Sequence, residues 1–130
     1  MTYLIDSDQI INYLKGTPAT LQLIQALAPE GLAMGAVSHA EVIAGVYGAR
    51  NPMRAEAGYR SLLQDLTILP LTEAIAEEYG RISLDLRQRG LPIAVPDMLI
   101  AATAMHHTLT FVTNNRRDFA RITTLPLHNA

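Results

Sequence analysis

The sequence predicts an α/β fold: a three-layer α/β/α sandwich whose mostly parallel sheet has four or five strands, with helices on both faces. Apolar runs of strand length alternate with segments of helical periodicity along the whole chain, as in parallel sheets joined by helical crossovers. One segment, DMLIAATAM, is apolar nearly all round, as expected of a helix buried between layers. Residues 1–130 contain no internal repeat, low-complexity tract or Gly/Ser/Pro-rich linker, so they read as a single domain around one core.

Taken in order, Thr2 to Ile5 reads as a short buried strand, followed by a helix with Ile10, Ile11 and Leu14 on one face that stops at Gly16. A second helix spans Ala19 to Leu27 and ends before Pro29. Gly31 to Val37 is a strand candidate, and SHAEVIAGVYGAR then has helical spacing at Val42, Ile43, Val46 and Tyr47. A helix through Tyr59, Leu62, Leu63 and Leu66 runs into the strand-like TILPL. Thr72 caps a long amphipathic helix with Ile75, Tyr79, Ile82 and Leu86 on one face, which Gly90 and Pro92 terminate. Beyond the buried helix after Pro96 come the strand LTFVT, a polar turn and helix from Asn114 to Arg121, and a last strand near Leu125 to His128.

Composition narrows the function classes. The chain is 49% hydrophobic without an apolar run long enough to span a bilayer, and Asp6 interrupts the only apolar segment near the N-terminus. No basic stretch precedes that segment, so a signal peptide is not expected and the chain reads as a soluble, cytoplasmic protein. Cysteine is absent, which removes disulfides and thiolate chemistry. The formal net charge of −2 argues against broad electrostatic binding of nucleic acid, but leaves room for an enzyme that grips phosphates through metal ions and a few arginines.

Four acids stand beside element termini: Asp6, Glu41, Asp97 and Asp118. Three of them have a local explanation. Glu41 follows Ser38 by three residues, the spacing of a capping box. Asp97 follows Pro96 at a helix start, where the macrodipole favours negative charge, and Asp118 has Arg121 at i,i+3. In the first motif, Ser7 or Asp8 caps the next helix, which is sufficient for Asp8 and leaves Asp6, at the end of a buried strand, without a local role. One site at the carboxyl edge of a parallel sheet accounts for all four together. Carboxylates within about 4 Å repel by a few kcal/mol per pair at an effective dielectric near 20, so they need cations between them or protons upon them. Oxygen donors favour magnesium or manganese over zinc. The histidines offer no rival: His106 and His107 suit a helix C-terminus, and His39 and His128 have no spaced partner.

LIDSD, SHAEV, PDMLIAATA and TNNRRDFARI resemble, in order and approximate spacing, the four acidic motifs of the PIN domain, and the length is most similar to VapC-like toxins of type II toxin-antitoxin pairs. The resemblance covers nearly the entire chain and implies a PIN-like fold and a magnesium- or manganese-dependent endoribonuclease. It implies that Asp6, Glu41, Asp97 and Asp118 form the metal site, with Thr113 and Asn115 as its polar neighbours. Asp6 and Asp97 are assigned as metal ligands, Glu41 as a ligand or water-positioning base, and Asp118 as an outer or second-metal ligand. Arg116 and Arg117 flank that acid, as phosphate holders or as a solvated helix face. The role of Asp8 stays open. Implied partners are an RNA substrate, a cognate antitoxin through which DNA is bound indirectly, and a second copy in a homodimer, with no membrane. An apolar surplus, including Leu62 to Leu66, agrees with a protein interface.

Two other readings compete. A D-x-D at Asp6 and Asp8 also suits phosphatases with an aspartate nucleophile, but these need a later lysine, and the only lysine is Lys15. A non-catalytic PIN-like interaction module is the other, against which the retention of all four acids speaks.

Overall fold

A computed structural model describes residues 1–129. The elements are β1 (Tyr3–Ile5), α1 (Ser7–Leu14), α2 (Pro18–Leu27), a 3-10 turn (Ala28–Glu30), β2 (Leu32–Gly35), α3 (Ala36–Tyr47), α4 (Pro52–Leu63), β3 (Leu66–Leu69), α5 (Glu73–Gln88), α6 (Val95–His106), β4 (Thr110–Val112) and α7 (Arg116–Phe119). The four strands form one sheet in the order β3-β2-β1-β4, every pair parallel.

Side chains of a strand point alternately to opposite faces, and here that alternation divides the apolar residues between two cores. Leu4, Ala33, Leu69 and Phe111 face one cluster, packed against Ile75, Ile82 and Leu86 of α5, the Ile100 to Ala104 stretch of α6, and Phe119. Ile5, Leu32, Met34 and Val112 face the other, with Ile10 of α1, Ile24 of α2, Val42 and Val46 of α3 and Tyr59 of α4. Both faces of the sheet are covered, which explains why its strands read as continuous apolar runs.

Two strand expectations are shortened. Gly31 to Val37 yields strand only over Leu32–Gly35, because Ala36 already opens α3. Leu125 to His128 is not a strand: it meets β4 only at an isolated parallel bridge between Phe111 and Leu127, with one backbone bond on either side. Pro126 accepts from the Phe111 N–H at 2.8 Å but has no N–H of its own to continue the ladder. The sheet therefore has four strands. The expected apolar surplus at Leu62 to Leu66 is core rather than surface, with Leu62 buried and Leu63 and Leu66 packed against it.

The expected cap at Thr72 is present: its side chain accepts from the Ile75 N–H at 3.3 Å and starts α5. Between α6 and β4, Thr108 turns the chain at φ 56°, a left-handed conformation that a β-branched residue adopts only under strain. Thr108→Gly is expected to stabilise the protein by about 1 kcal/mol, since relief of the steric cost exceeds the extra entropy of an unfolded glycine. Chemical denaturation would check this; an unchanged midpoint would show that the turn is not strained.

Chain connections leave β1 toward β2 on one side, while β4 returns to pair on its other side. The strand order reverses there, and such a switch point opens a crevice at the carboxyl ends of the two strands. Asp6 follows β1 and Thr113 follows β4, and the Asp6 N–H donates to Val112 O at 2.9 Å, so both residues lie at that edge.

Candidate active site

Asp6 is the N-cap of α1, which is the local role the sequence left it without: its Oδ1 accepts from the Ser7 N–H at 2.8 Å. Ser7 and Asp8 are not the cap. Asp6 also does more than cap, because its Oδ2 accepts from the Thr113 hydroxyl at 2.7 Å in a buried contact. Only 5% of Asp6 is exposed, and its carboxyl is pushed up to about 7, chiefly by burial and then by Asp8, against the opposing bonds from Thr113 and Ser7, with a further contribution from Asp97.

Asp8 reaches across to the loop after β4. Its Oδ2 accepts from the Asn114 N–H at 3.1 Å and lies 3.4 Å from the Thr113 hydroxyl, while its Oδ1 is buried with no hydrogen-bond partner among the described residues. A hydroxyl has one proton to give, so Thr113 donates to the nearer oxygen of Asp6 and leaves Asp8 without it. Burial raises the Asp8 carboxyl as well.

Glu41 does not form a capping box. Helix α3 begins at Ala36 behind Gly35, the Ser38 hydroxyl is buried without a partner among the described residues, and the Glu41 carboxylate instead accepts from the Ser7 hydroxyl at 3.0 Å. A bond between α1 and α3 thus links the first two motifs. Asp97 lies in the first turn of α6, its carboxyl raised by burial and then by Glu41, Asp118 and Asp8. Asp118, on α7, accepts from the Asn115 side-chain amide at 3.2 Å and pairs loosely with Arg121 at 3.9 Å. The Asn115 N–H donates to the Thr113 hydroxyl oxygen at 3.0 Å. The fold therefore gathers acids from four distant segments into one electrostatic field, and Thr113 and Asn115 hold two of them. Arg116 is turned elsewhere, donating to the carbonyl oxygen of His128, whereas Arg117 is exposed.

No three acidic or imidazole side chains among the described residues are drawn into a ready metal cage. The donor chemistry nonetheless fits a hard divalent cation: the candidate donors are carboxylates, burial raises the proton affinity of Asp6, Asp8 and Asp97, and one buried oxygen of Asp8 is unsatisfied among the described residues. His39 is occupied by Tyr59, with 2.7 Å between its Nδ1 and the phenol oxygen. The sequence reading missed Ser7 as the partner of Glu41, Asn114, whose backbone N–H binds Asp8, and Gln9, which holds Asn114. The one signal for them was a polar Gln9 directly before the apolar Ile10 and Ile11.

A separate cavity of about 670 Å³ lies between α1, α3 and α4, lined by Ile11, Leu14, Val42, Val46 and Ala55 with Lys15 and Arg54. None of the acids lines it, and its apolar walls suit a partner's side chains rather than a cation.

The chain is similar over nearly its whole length to several known proteins. Ribonuclease VapC1 of Haemophilus influenzae strain R2866 is 30% identical over 127 residues, covering 96% of this chain and 95% of the relative. The tRNA(fMet)-specific endonuclease VapC of Shigella flexneri is 27% identical over 122 residues, covering 94% and 92%. Among solved structures, VapBC2 from Rickettsia felis bound to a DNA fragment from its promoter superposes with a TM-score of 0.91 at 27% identity, over 98% of both chains. FitAcB from Neisseria gonorrhoeae gives 0.86 at 27% identity, over 98% and 97%. The sequence profile of the PIN domain matches residues 3–125, from the first strand through the last acidic motif, and the chain belongs to the PIN domain family.

Proposed function

We propose that this protein is an endoribonuclease and the toxin of a toxin-antitoxin pair, hydrolysing RNA phosphodiester bonds with a divalent cation, magnesium or manganese, at Asp6, Glu41, Asp97 and Asp118. The observation that carries this reading is the bonded set of acids at the carboxyl edge of the sheet: Thr113 binds buried Asp6, Ser7 of α1 binds Glu41 of α3, Asn115 binds Asp118, and Asp97 lies in the first turn of α6. Relatives named as ribonucleases across nearly the full length support the reaction class.

In this reading Asp6 and Asp97 hold the cation, with Glu41 as a further ligand or a base that positions water, and Asp118 as an outer ligand. A bound divalent cation supplies a water of lowered pKa and stabilises negative charge on the attacked phosphate and on the departing 3′ oxygen. The protein's own part is orientation. Thr113 fixes one oxygen of Asp6, Ser7 fixes Glu41, and Asn115 fixes Asp118, each by a donated hydrogen bond. Arg117, exposed beside Asp118, is the better placed of the two arginines to meet an RNA phosphate, since Arg116 is engaged at His128. Lys15 sits at the far end of α1 from Asp6 and lines the apolar cavity, which leaves the aspartate-nucleophile alternative without its phosphate-neutralising lysine.

The antitoxin is the second element of this proposal, and structural neighbours of the chain are toxin-antitoxin complexes, one of them bound to promoter DNA. Its seat is assigned to the apolar groove between α1, α3 and α4, where Lys15 and Arg54 match an apolar segment carrying acidic side chains. DNA is reached through the antitoxin, a homodimer is the expected toxin assembly, and the cytoplasm is the expected compartment. No helix among the described residues is long and apolar enough to cross a membrane.

The purified protein should cleave RNA in magnesium or manganese, stop in chelator, and be inhibited by the small protein encoded beside it. Ala55→Glu, which puts a charge in the groove away from the acids, should weaken that inhibition roughly a hundredfold while RNA cleavage persists. Cleavage that continues unchanged in chelator would exclude the metal-dependent reaction. Inhibition undiminished in Ala55→Glu would move the antitoxin to another surface.

A further inference from the structure

We propose that Gln9, Asp8 and Asn114 form a clasp between α1 and the loop after β4, and that Gln9 and Asn114 are positioning residues for the nuclease reaction, an inference that rests on the function proposed above. The loop needs such a device. Strand β4 ends at Val112 and α7 begins at Arg116, so residues 113–115 belong to neither a sheet ladder nor a helix. Yet two of these three residues hold acids of the site: Thr113 donates to Asp6 at 2.7 Å, and Asn115 donates to Asp118 at 3.2 Å.

The residue between them, Asn114, is held twice from the first turn of α1. Asp8 accepts its backbone N–H at 3.1 Å, and the Gln9 side-chain amide donates to its Oδ1 at 3.0 Å. Gln9 is only 3% exposed and stands next to fully buried Ile10. A buried amide is costly unless its hydrogen bonds are made, so the bond to Asn114 defines where the loop must lie for Gln9 to be satisfied. Asn114 itself is exposed, so the bond to buried Gln9 joins a surface loop residue to the first turn of α1. Because Asn114 adjoins both Thr113 and Asn115, a rotation of its backbone would swing the Thr113 hydroxyl away from Asp6 and the Asn115 amide away from Asp118. The clasp thereby ties α1, which Asp6 caps, to the loop that carries the fourth motif.

Such a device acts on geometry at the reacting centre rather than on RNA affinity, so its loss should lower kcat and leave KM nearly unchanged. Gln9→Leu preserves volume and helix propensity, and Asn114→Ala removes the other half of the bond from an exposed loop position that folding does not require. Each should lower kcat roughly tenfold, with KM for a model RNA within about twofold of the parent. The double variant should lose no more than either single one, because both remove the same bond. Asn114→Asp, which keeps an acceptor oxygen for Gln9, should recover most of the rate lost in Asn114→Ala. Melts in chelator would confirm that Asn114→Ala is folded, and the rise in melting temperature on adding manganese should be smaller than in the parent. If Asn114→Ala and Gln9→Leu retain the parent kcat, or if their losses multiply in the double variant, the clasp is wrong while the nuclease reading stands. If the parent protein cleaves no RNA with either cation, the nuclease reading fails instead.

Discussion

Asp6→Asn is expected to lower RNA cleavage on the order of a thousandfold, about 4 kcal/mol of transition-state stabilisation, while making the metal-free protein more stable. The two effects have one cause. Asp6 is buried and faces Asp8 and Asp97, and its carboxyl is held at about 7 instead of 3.8. Between those values the folded protein keeps a proton that the unfolded chain has released, so stability falls as the pH rises through this window and the penalty is complete above about pH 7. Moving a carboxyl from 3.8 to about 7 corresponds to about 4 kcal/mol, an upper bound on what the substitution relieves. Asparagine keeps the local bonds: its oxygen accepts from the Ser7 N–H, and its amide donates to the Thr113 hydroxyl oxygen. In chelator at pH 8, Asp6→Asn should therefore melt several degrees above the parent, and its melting temperature should fall less between pH 5 and pH 8. Full activity in this variant would remove Asp6 from the metal site, and a lower melting temperature at pH 8 would show that the acids do not strain the fold.

Asp97→Asn is the second large effect. Asp97 is the acid whose carboxyl feels Glu41, Asp118 and Asp8 together, so it joins the two halves of the proposed ligand set. Its removal should cost a few hundredfold in cleavage and most of the rise in melting temperature that manganese produces. Stability without metal should hardly change. Asp97 is less buried than Asp6 and lies in the first turn of α6, where losing a negative charge forfeits about 0.3–1 kcal/mol of dipole stabilisation that offsets the repulsion relieved. Asp8→Asn is the informative contrast. An asparagine oxygen at that position still accepts from the Asn114 N–H, so the loss should stay near tenfold. Cleavage rates against manganese concentration for the three variants would rank them, and a larger loss for Asp8→Asn than for Asp97→Asn would reverse the assignment of ligands.

How far the site could be read from the chain differs residue by residue. Asp6 was legible because a carboxylate after three apolar residues is conspicuous, yet its use as the α1 cap was assigned to its neighbours. Cap geometry depends on where the strand releases the chain, and pattern places that point only within a residue or two. The capping box suggested by Ser38 and Glu41 was a coincidence of spacing, since α3 begins two residues before Ser38. The Arg121 pairing of Asp118 was correctly anticipated as local, but at 3.9 Å it is the weaker of that acid's two contacts. Leu125 to His128 carried the apolar content of a strand and failed as one, because Pro126 cannot donate.

By itself the sequence determined the alternation of elements, a mostly parallel sheet, the apolar α6 and the membership of four spaced acids in one family pattern. These properties follow from periodicity and from residue types at element ends, which are local and survive in one dimension. The tertiary structure alone decided that β1 and β4 lie side by side, so that Thr113 reaches Asp6 across 107 positions of chain, and that Gln9 meets Asn114 across 105. It also decided that Ser7 holds Glu41, and that an apolar groove opens between α1, α3 and α4 away from the acids. The physical reason is that hydrogen bonds between distant loops and a cavity between helices depend on strand order and packing angle, and no spacing within a single segment encodes either.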